Sequence, residues 1–365
     1  MPAAPEPLSP ASPATPAAPA APAAPLARAL AALAQRQSLS ERHTTEVFGV
    51  VMRGEATPAQ LAALLMGLRV KGETAEEVAG AARALRDAMV PVEAHGAHLV
   101  DTCGTGGGTV STFNISTAAA LVAAGAGAFV AKHGNRSFTS QCGSADVLEA
   151  LGVRISLDAR AAARVLRDAC VTFLFAPNFH PAMKHAAPVR RELAVPSVMN
   201  LLGPLANPAG VRRQVVGVAE RDRAPLLAGA LARLGVEHAL VVHGRVGMDE
   251  IAPHGITDVW EVRGGGVTTW ALDPAEHGLA IDDVGALRGA DPATNARRIE
   301  RLLADGGGDR PGRAALVLNA GAAVYVAGLA DSYAAGLARA RAALEGGAGR
   351  AALERLRRVS ASTSG

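Results

Sequence analysis

Residues 101–117, DTCGTGGGTVSTFNIST, place four glycines between positions 104 and 108, ahead of a run of hydroxyl and amide side chains. Glycine has no Cβ, so a cluster of glycines suits a place where bare backbone N–H groups must approach a ligand. Leu99 and Val100, running into Asp101, spell a short strand, while Ser116 and Thr117 open a helix over AAALVAAGAGAFV. The glycines therefore fall in a strand-to-helix turn. A helix N-terminus offers unpaired N–H groups and the positive end of its dipole, which fits this turn to a phosphate. A lone glycine cluster is explained equally well by a surface turn, so the surrounding sequence has to decide.

Outward from the turn, strands alternate with helices. The pattern predicts strand 99–101, a helix from 116, strand 129–132, helices 144–151 and 158–169, strand 171–175, strand 214–218, helix 224–234 and strand 239–243. Such alternation implies a mainly parallel sheet flanked by helices, with ligands outside the carboxyl ends of the strands. Residues 259–262 and 267–271, separated by RGGG, read as an antiparallel hairpin, and helices at 314–327 and 332–344 close the domain. Upstream, Leu26, Leu30 and Leu33 line one helix, 41–53 forms a second, Thr57-Pro58 starts a third running to Val70, and Thr74 with Glu77 makes a capping box for a fourth. The fold class is α/β, with a small N-terminal all-α domain at 26–94 and a large α/β domain at 95–365. Residues 1–25 are almost wholly Ala, Pro and Ser, cannot form a core, and are expected to be a disordered tail.

With 365 residues and 49% hydrophobic content, the chain has enough apolar material for about two domains. The net charge of +3 arises from 36 basic and 33 acidic residues without a long basic run, which gives little support for a nucleic-acid partner. Three basic residues are lysines, Lys71, Lys132 and Lys184, so each merits inspection. Three cysteines without CxxC spacing argue against a disulfide framework or a zinc site and for a reducing cytoplasm. The tail lacks the marks of a secretory or mitochondrial leader, and the longest apolar stretch, 118–131, is too short and Gly-interrupted for a membrane span.

Three further constellations carry chemistry. Lys132 to Gly152, KHGNRSFTSQCGSADVLEALG, is again a strand end entering a polar loop and then a helix. Lys132 and Arg136 supply charge, Asn135, Ser137, Thr139, Ser140 and Ser144 supply neutral hydrogen bonds, and Ser144 is suited to cap the helix. His133 alone fits a structural role as well as a functional one. If the two strands are parallel neighbours, both loops face one crevice, and a diphosphate fits better than a single phosphate. In FHPAMKHAAPVRREL, residues 179–193, a helix after Pro181 carries Lys184, Arg190 and Arg191, any of which offers a cation to an acidic group. GMDEIAP, residues 247–253, puts Asp249 and Glu250 in a loop, and paired oxygen ligands of this kind suit Mg²⁺. No GxSxG elbow, HExxH, P-loop or clean GxGxxG is present. Loss of diphosphate from C1 of a ribose needs phosphate clamps, a metal and orientation, with no enzyme nucleophile.

GTGG at 104–107, TFNIST at 112–117, KHGNR at 132–136, GSADVLEALG at 143–152, HPAMK at 180–184, NLLGPLANP at 200–208 and the acidic pair at 249–250 together resemble the anthranilate phosphoribosyltransferases of tryptophan biosynthesis, over about residues 26–345. The resemblance implies a homodimer whose substrates are anthranilate and phosphoribosyl pyrophosphate, with Mg²⁺ as cofactor; the charge pattern and the short apolar stretches add the expectation of no nucleic-acid or membrane partner. It implies phosphoribosyl-diphosphate contacts at Gly104, Gly107, Gly108, Thr112, Asn114, Ile115, Ser116, Thr117, Lys132, His133, Gly134, Asn135, Arg136, Ser137, Phe138, Thr139, Ser140 and Ser144. Gly104, Asn135 and Arg190 match the family's anthranilate contacts, and Ser116, Asp249 and Glu250 its metal ligands. A segment at about 182–205 is expected to pack onto the N-terminal helices. Gly108 departs from the family, which commonly has Asp there. Two rivals share the fold: a pyrimidine nucleoside phosphorylase, which needs only phosphate and a nucleoside, and a non-enzymatic nucleic-acid-binding relative, which would have broken motifs and a basic stripe.

Overall fold

A computed structural model describes residues 23–94, 96–137, 141–305 and 308–363. Four helices come first, α1 (Ala24–Ala34), α2 (Glu41–Met52), α3 (Pro58–Lys71) and α4 (Ala75–Asp87). The alternating part follows as β1 (Leu99–Gly104), α5 (Ile115–Gly125), β2 (Phe129–Gly134), α6 (Ser144–Ala150), α7 (Ala159–Ala169), β3 (Val171–Phe175), α8 (Ala176–Phe179), α9 (Met183–Leu193), α10 (Met199–Leu202), β4 (Arg213–Gly217), α11 (Ala224–Arg233) and β5 (His238–Gly244). The hairpin β6 (Thr257–Arg263) and β7 (Gly266–Leu272) precedes α12 (Pro292–Asp305), α13 (Arg310–Val326), α14 (Tyr333–Glu345) and α15 (Ala348–Ser362).

The strands form one seven-stranded sheet in the order β3-β2-β1-β4-β5-β6-β7. Pairings from β3 to β5 are parallel, and β6 and β7 are antiparallel. The loops after β1 and β2 therefore leave adjacent strands in the same direction. Between β6 and β7 the chain reverses at Gly264 and Gly265, both at positive φ, as a tight hairpin turn demands.

Each face of the sheet carries its own core. Val215, Leu240, Val242 and Val259 point into a core built with α5, α7, α13, α14 and α15. Their alternates Val216, Val241, Trp260 and Val262 point into a second core shared with the N-terminal helices, α11, and Ala182, Ala186, Val198, Met199 and Leu202. Residues 182–202 thus lie against the N-terminal helices.

Several boundaries differ from the sequence reading. Helix α1 starts at Ala24, inside the segment assigned to the tail, because a proline in the first turn forfeits no helical hydrogen bond. The Pro25 carbonyl also meets His43 Nε2 at 3.0 Å, which ties that turn to α2. Residues 1–22 lie outside the described residues. Helix α6 is capped by Gly143 rather than Ser144: the Asp146 carboxylate accepts from the Gly143 N–H at 2.9 Å, while the Ser144 hydroxyl donates to the Asn135 carbonyl at 3.2 Å. Helices α12 and α15 were not anticipated.

Candidate active site

The β1 turn, the start of α5, the end of β2 and the loop after β5 converge at the carboxyl ends of the parallel strands. At the end of β5 the chain turns through Gly244–Met248, so Asp249 and Glu250 come back against the glycine turn. Asp249 Oδ2 accepts from the Gly106 N–H at 3.1 Å, and Glu250 accepts from Thr112 Oγ1 at 3.1 Å. A Cβ on Gly104 would stand 3.0 Å from Asp249 Oδ2, and one on Gly108 3.1 Å from Asp249 Oδ1, so bare backbone is what lets the carboxylate approach. Gly107, at φ +83°, has open space around it. A cleft is lined by Thr102, Cys103, Ser116, Gly217, Asp249 and Glu250.

Helix α5 begins one residue before Ser116, at Ile115. Asn114 precedes it at φ +65° and makes no side-chain cap, which leaves the first N–H groups of α5 without a capping side chain. Ile115 and Thr117 are buried, and the Thr117 hydroxyl has no hydrogen-bond partner among the described residues. Lys132 is 4% exposed; its ammonium donates to Ser116 Oγ at 3.2 Å and to the Thr102 carbonyl. Its strand neighbour is Asp101, fully buried, which accepts from the His133 N–H at 3.1 Å and from Asn207 Nδ2 at 2.8 Å. Burial pushes the Asp101 carboxyl up and the Lys132 ammonium down, and the charge of each restrains the shift of the other. Asn207 also donates to the Ala131 carbonyl at 2.8 Å. The quoted segments 101–117, 132–136 and 200–208 thus meet in one buried network.

Burial pushes Glu250 up, the charge of Asp249 adding to the rise, and burial raises Asp249 as well. The donor set here is two carboxylates with the Ser116 hydroxyl on the same cleft. Hard oxygen ligands, few in number and leaving room for substrate oxygens and water, fit Mg²⁺.

The other residues named from sequence divide. Gly134 ends β2, Asn135 and Ser137 lie in the loop after it, and Ser144 opens α6, where Ser144 Oγ and the Ala145 N–H both donate to the Asn135 carbonyl. Arg136 is turned outward onto Asp146 at 2.7 Å and Glu149 at 2.6 Å, so its charge is already paired. His133 packs against His180 with ring centroids 5.0 Å apart, bringing the end of α8 beside β2. Arg190, further along α9, is half-buried, is lowered by burial, and has no carboxylate partner among the described residues. Phe138, Thr139 and Ser140 lie outside the described residues. The buried amides Asn207, Asn295 and Asn319 were not singled out as functional from sequence; Asn207 sits inside the quoted NLLGPLANP, whereas the other two carry no motif or spacing signal.

Comparison with known proteins gives a consistent set of relatives. A glycosyl transferase family, a/b domain, profile matches residues 96–350, and a glycosyl transferase family, helical bundle domain, profile matches 27–89. Anthranilate phosphoribosyltransferase 2 of Streptomyces coelicolor is 50% identical over 320 residues, covering 88% of this chain and 95% of the relative. The anthranilate phosphoribosyltransferase of Thioalkalivibrio sulfidiphilus is 48% identical over 327 residues, covering 90% and 96%. Among solved structures, the Thermus thermophilus anthranilate phosphoribosyltransferase superposes with a TM-score of 0.86 at 43% identity, covering 92% of this chain and 99% of that one. The Saccharomyces cerevisiae enzyme in complex with PRPP and Mg superposes at 0.83 with 28% identity, covering 92% and 98%.

Proposed function

The chain belongs to the anthranilate phosphoribosyltransferase family, pentosyltransferases of tryptophan biosynthesis, and from that premise we propose how its residues divide the reaction. Phosphoribosyl diphosphate is held by the β1 turn and the start of α5 (Gly104, Gly107, Gly108, Thr112, Asn114 to Thr117) and by Lys132 to Ser140 with Ser144. The observation that carries this reading is that Gly106 and Thr112 hydrogen-bond to Asp249 and Glu250, while Ser116, itself held by the Lys132 ammonium, lines the same cleft as that pair.

Asp249, Glu250 and Ser116 would hold Mg²⁺, which neutralises charge on the departing diphosphate when bound. The unpaired N–H groups of α5 favour the same anion, and Lys132 supplies a desolvated positive charge beneath it. The amino nitrogen of anthranilate attacks C1 of the ribose, the C1–O bond to diphosphate breaks, and the amine gives up a proton. No side chain forms a covalent intermediate in this scheme. Arg190 binds the anthranilate carboxylate, with Gly104 and Asn135 completing that site: a half-buried guanidinium with no carboxylate partner among the described residues is suited to an acidic ligand. Arg136 joins the diphosphate site on releasing Asp146 and Glu149.

The partners are these two small molecules and a second copy of the chain. Val70, on α3 and 71% exposed, is an apolar group that a second copy would cover, and sedimentation velocity tests the dimer. Cys103, Cys142 and Cys170, none of them in a disulfide among the described residues, fit a cytoplasmic enzyme, and among the described residues no helix is long and apolar enough to cross a membrane. The function is tested by the loss of anthranilate fluorescence on adding phosphoribosyl pyrophosphate and Mg²⁺. Phosphorolysis of thymidine or uridine with no anthranilate consumption would overturn it. For the site, Arg190→Ala should raise the KM for anthranilate, and unchanged KM and kcat would remove Arg190 from it.

A further inference from the structure

Behind the two substrate loops stands Asn295 of α12, 2% exposed. Its Oδ1 accepts from the Ala290 N–H at 2.8 Å, its Nδ2 donates to Asn114 Oδ1 at 3.0 Å, and Asn114 Nδ2 donates to the Cys142 carbonyl at 3.0 Å. The Asn295 side chain also meets the Cys142 thiol.

The direction of this chain of amides is fixed at both ends. A backbone N–H only donates, so the Asn295 atom facing Ala290 is oxygen; a backbone carbonyl only accepts, so the Asn114 atom facing Cys142 is nitrogen. The middle contact is then N–H to oxygen, and flipping either amide would oppose like groups somewhere along the chain. Asn114 holds a left-handed conformation, φ +65° and ψ 48°, which asparagine adopts more readily than most residues. On one side it leads into the free N–H groups of α5; on the other, Cys142 leads into Gly143 and Ser144.

We propose that Asn295 is a positioning residue for phosphoribosyl diphosphate: it sets the separation of the Asn114 helix start and the Cys142–Ser144 loop, so that both are arranged for one ligand before it arrives. The proposal rests on the reading that these two loops hold that substrate. A carboxamide suits the task because it adds no charge beside a polyanion. Pre-arranged loops lose less conformational freedom on binding, which appears as affinity.

Asn295→Asp is nearly isosteric, keeps the acceptor for Ala290 and removes the donor to Asn114; Asn295→Ser is the second variant. The expected result is a roughly tenfold rise in the KM for phosphoribosyl pyrophosphate, as loss of a buried hydrogen bond would give, with kcat and the KM for anthranilate within about twofold of wild type. Calorimetric titration with pyrophosphate and Mg²⁺ should weaken by the same factor. An unchanged KM for phosphoribosyl pyrophosphate, a loss spread evenly over both substrates and kcat, or failure of both variants to fold overturns the proposal. Asn114→Ala separates the premise from the proposal. If it too leaves that KM unchanged, the assignment of the loops falls; if it raises the KM while Asn295→Asp does not, only the positioning role falls.

Discussion

Gly217 closes β4 where the backbone of the acidic loop crosses it. A Cβ there would lie 1.5 Å from the Asp249 carbonyl oxygen and 2.5 Å from its carbon, a clash with main chain that no rotamer change relieves. Gly217→Ala should push Asp249 and Glu250 off the β1 turn and cut kcat/KM by at least about 100-fold, with far-UV circular dichroism unchanged. Near-wild-type turnover would mean that the loop can shift without harm. Beside β2, His133 is held at about 3 and His180 at about 4, chiefly by burial. Both folded values lie below the ordinary 6.5, so the unfolded chain takes up protons that the folded chain refuses, and stability is lost as pH falls from about 6.5 toward 4. Between pH 8 and pH 5 each ring should cost about 2 kcal/mol. Urea titrations at the two pH values should therefore show His180→Phe losing about 2 kcal/mol less than wild type; equal losses would mean that the rings titrate normally. The sequence pointed to residues 101–117, 132–136 and 249–250 because each carries a residue type whose chemistry is distinctive. Gly217 and Asn295 gave no such signal, since their importance lies in what crosses or touches them from distant parts of the chain.

Helices that announce their ends were legible. Thr57 and Thr74 both cap with complete reciprocal boxes, and the hairpin strands lie where β-branched alternation and RGGG put them. Helix α15 was missed because it opens at Gly347 in a left-handed turn with no side-chain cap, whereas α12 carries a legible start that the sequence reading passed over: Asp291 precedes Pro292 and accepts from the Thr294 N–H at 3.0 Å. The Thr74 box also does more than its motif promises. Glu77, completely buried, accepts from the Thr74 N–H at 2.9 Å, from the Leu39 N–H at 2.8 Å and from Lys71 Nζ at 2.9 Å, so one carboxylate joins α3, α4 and the approach to α2. Glu77→Ala leaves the Thr74 and Leu39 N–H groups without their acceptor and takes the counter-ion from Lys71, which keeps its bonds to the Gly72 carbonyl and Ser38 hydroxyl, and should destabilise the protein by about 3 kcal/mol. Equilibrium urea unfolding reads this directly, and a change under 1 kcal/mol would show that water replaces the carboxylate.

At the scale of the whole chain, the division into a helical part and an α/β part is clear in sequence order and much less so in packing. The alternating residues of β4, β5 and β6 serve both cores, so the face carrying Val216, Val241, Trp260 and Val262 belongs to the same sheet that positions the proposed substrate loops. Sequence periodicity could not assign these strands to one core, because a strand buried on both faces reads as a continuous apolar run. Polar ties cross the same boundary. Arg86 of α4 donates to the Leu205 carbonyl at 2.6 Å, Arg83 to the Arg233 carbonyl at 2.9 Å, and Arg233 pairs with Glu76 at 2.5 Å. A chain starting at Gly96 would keep every strand and every proposed catalytic side chain, yet would leave Leu201 and Leu202 of α10, Leu227 and Leu231 of α11 and part of the Trp260 face without their cover. An apolar surface of that kind drives association, so the shortened chain should be recovered as aggregate and should lack a cooperative melting transition. Size-exclusion chromatography and near-ultraviolet circular dichroism check this. A monodisperse, cooperatively melting product would instead show that the α/β core is self-sufficient and that the helices serve only the site.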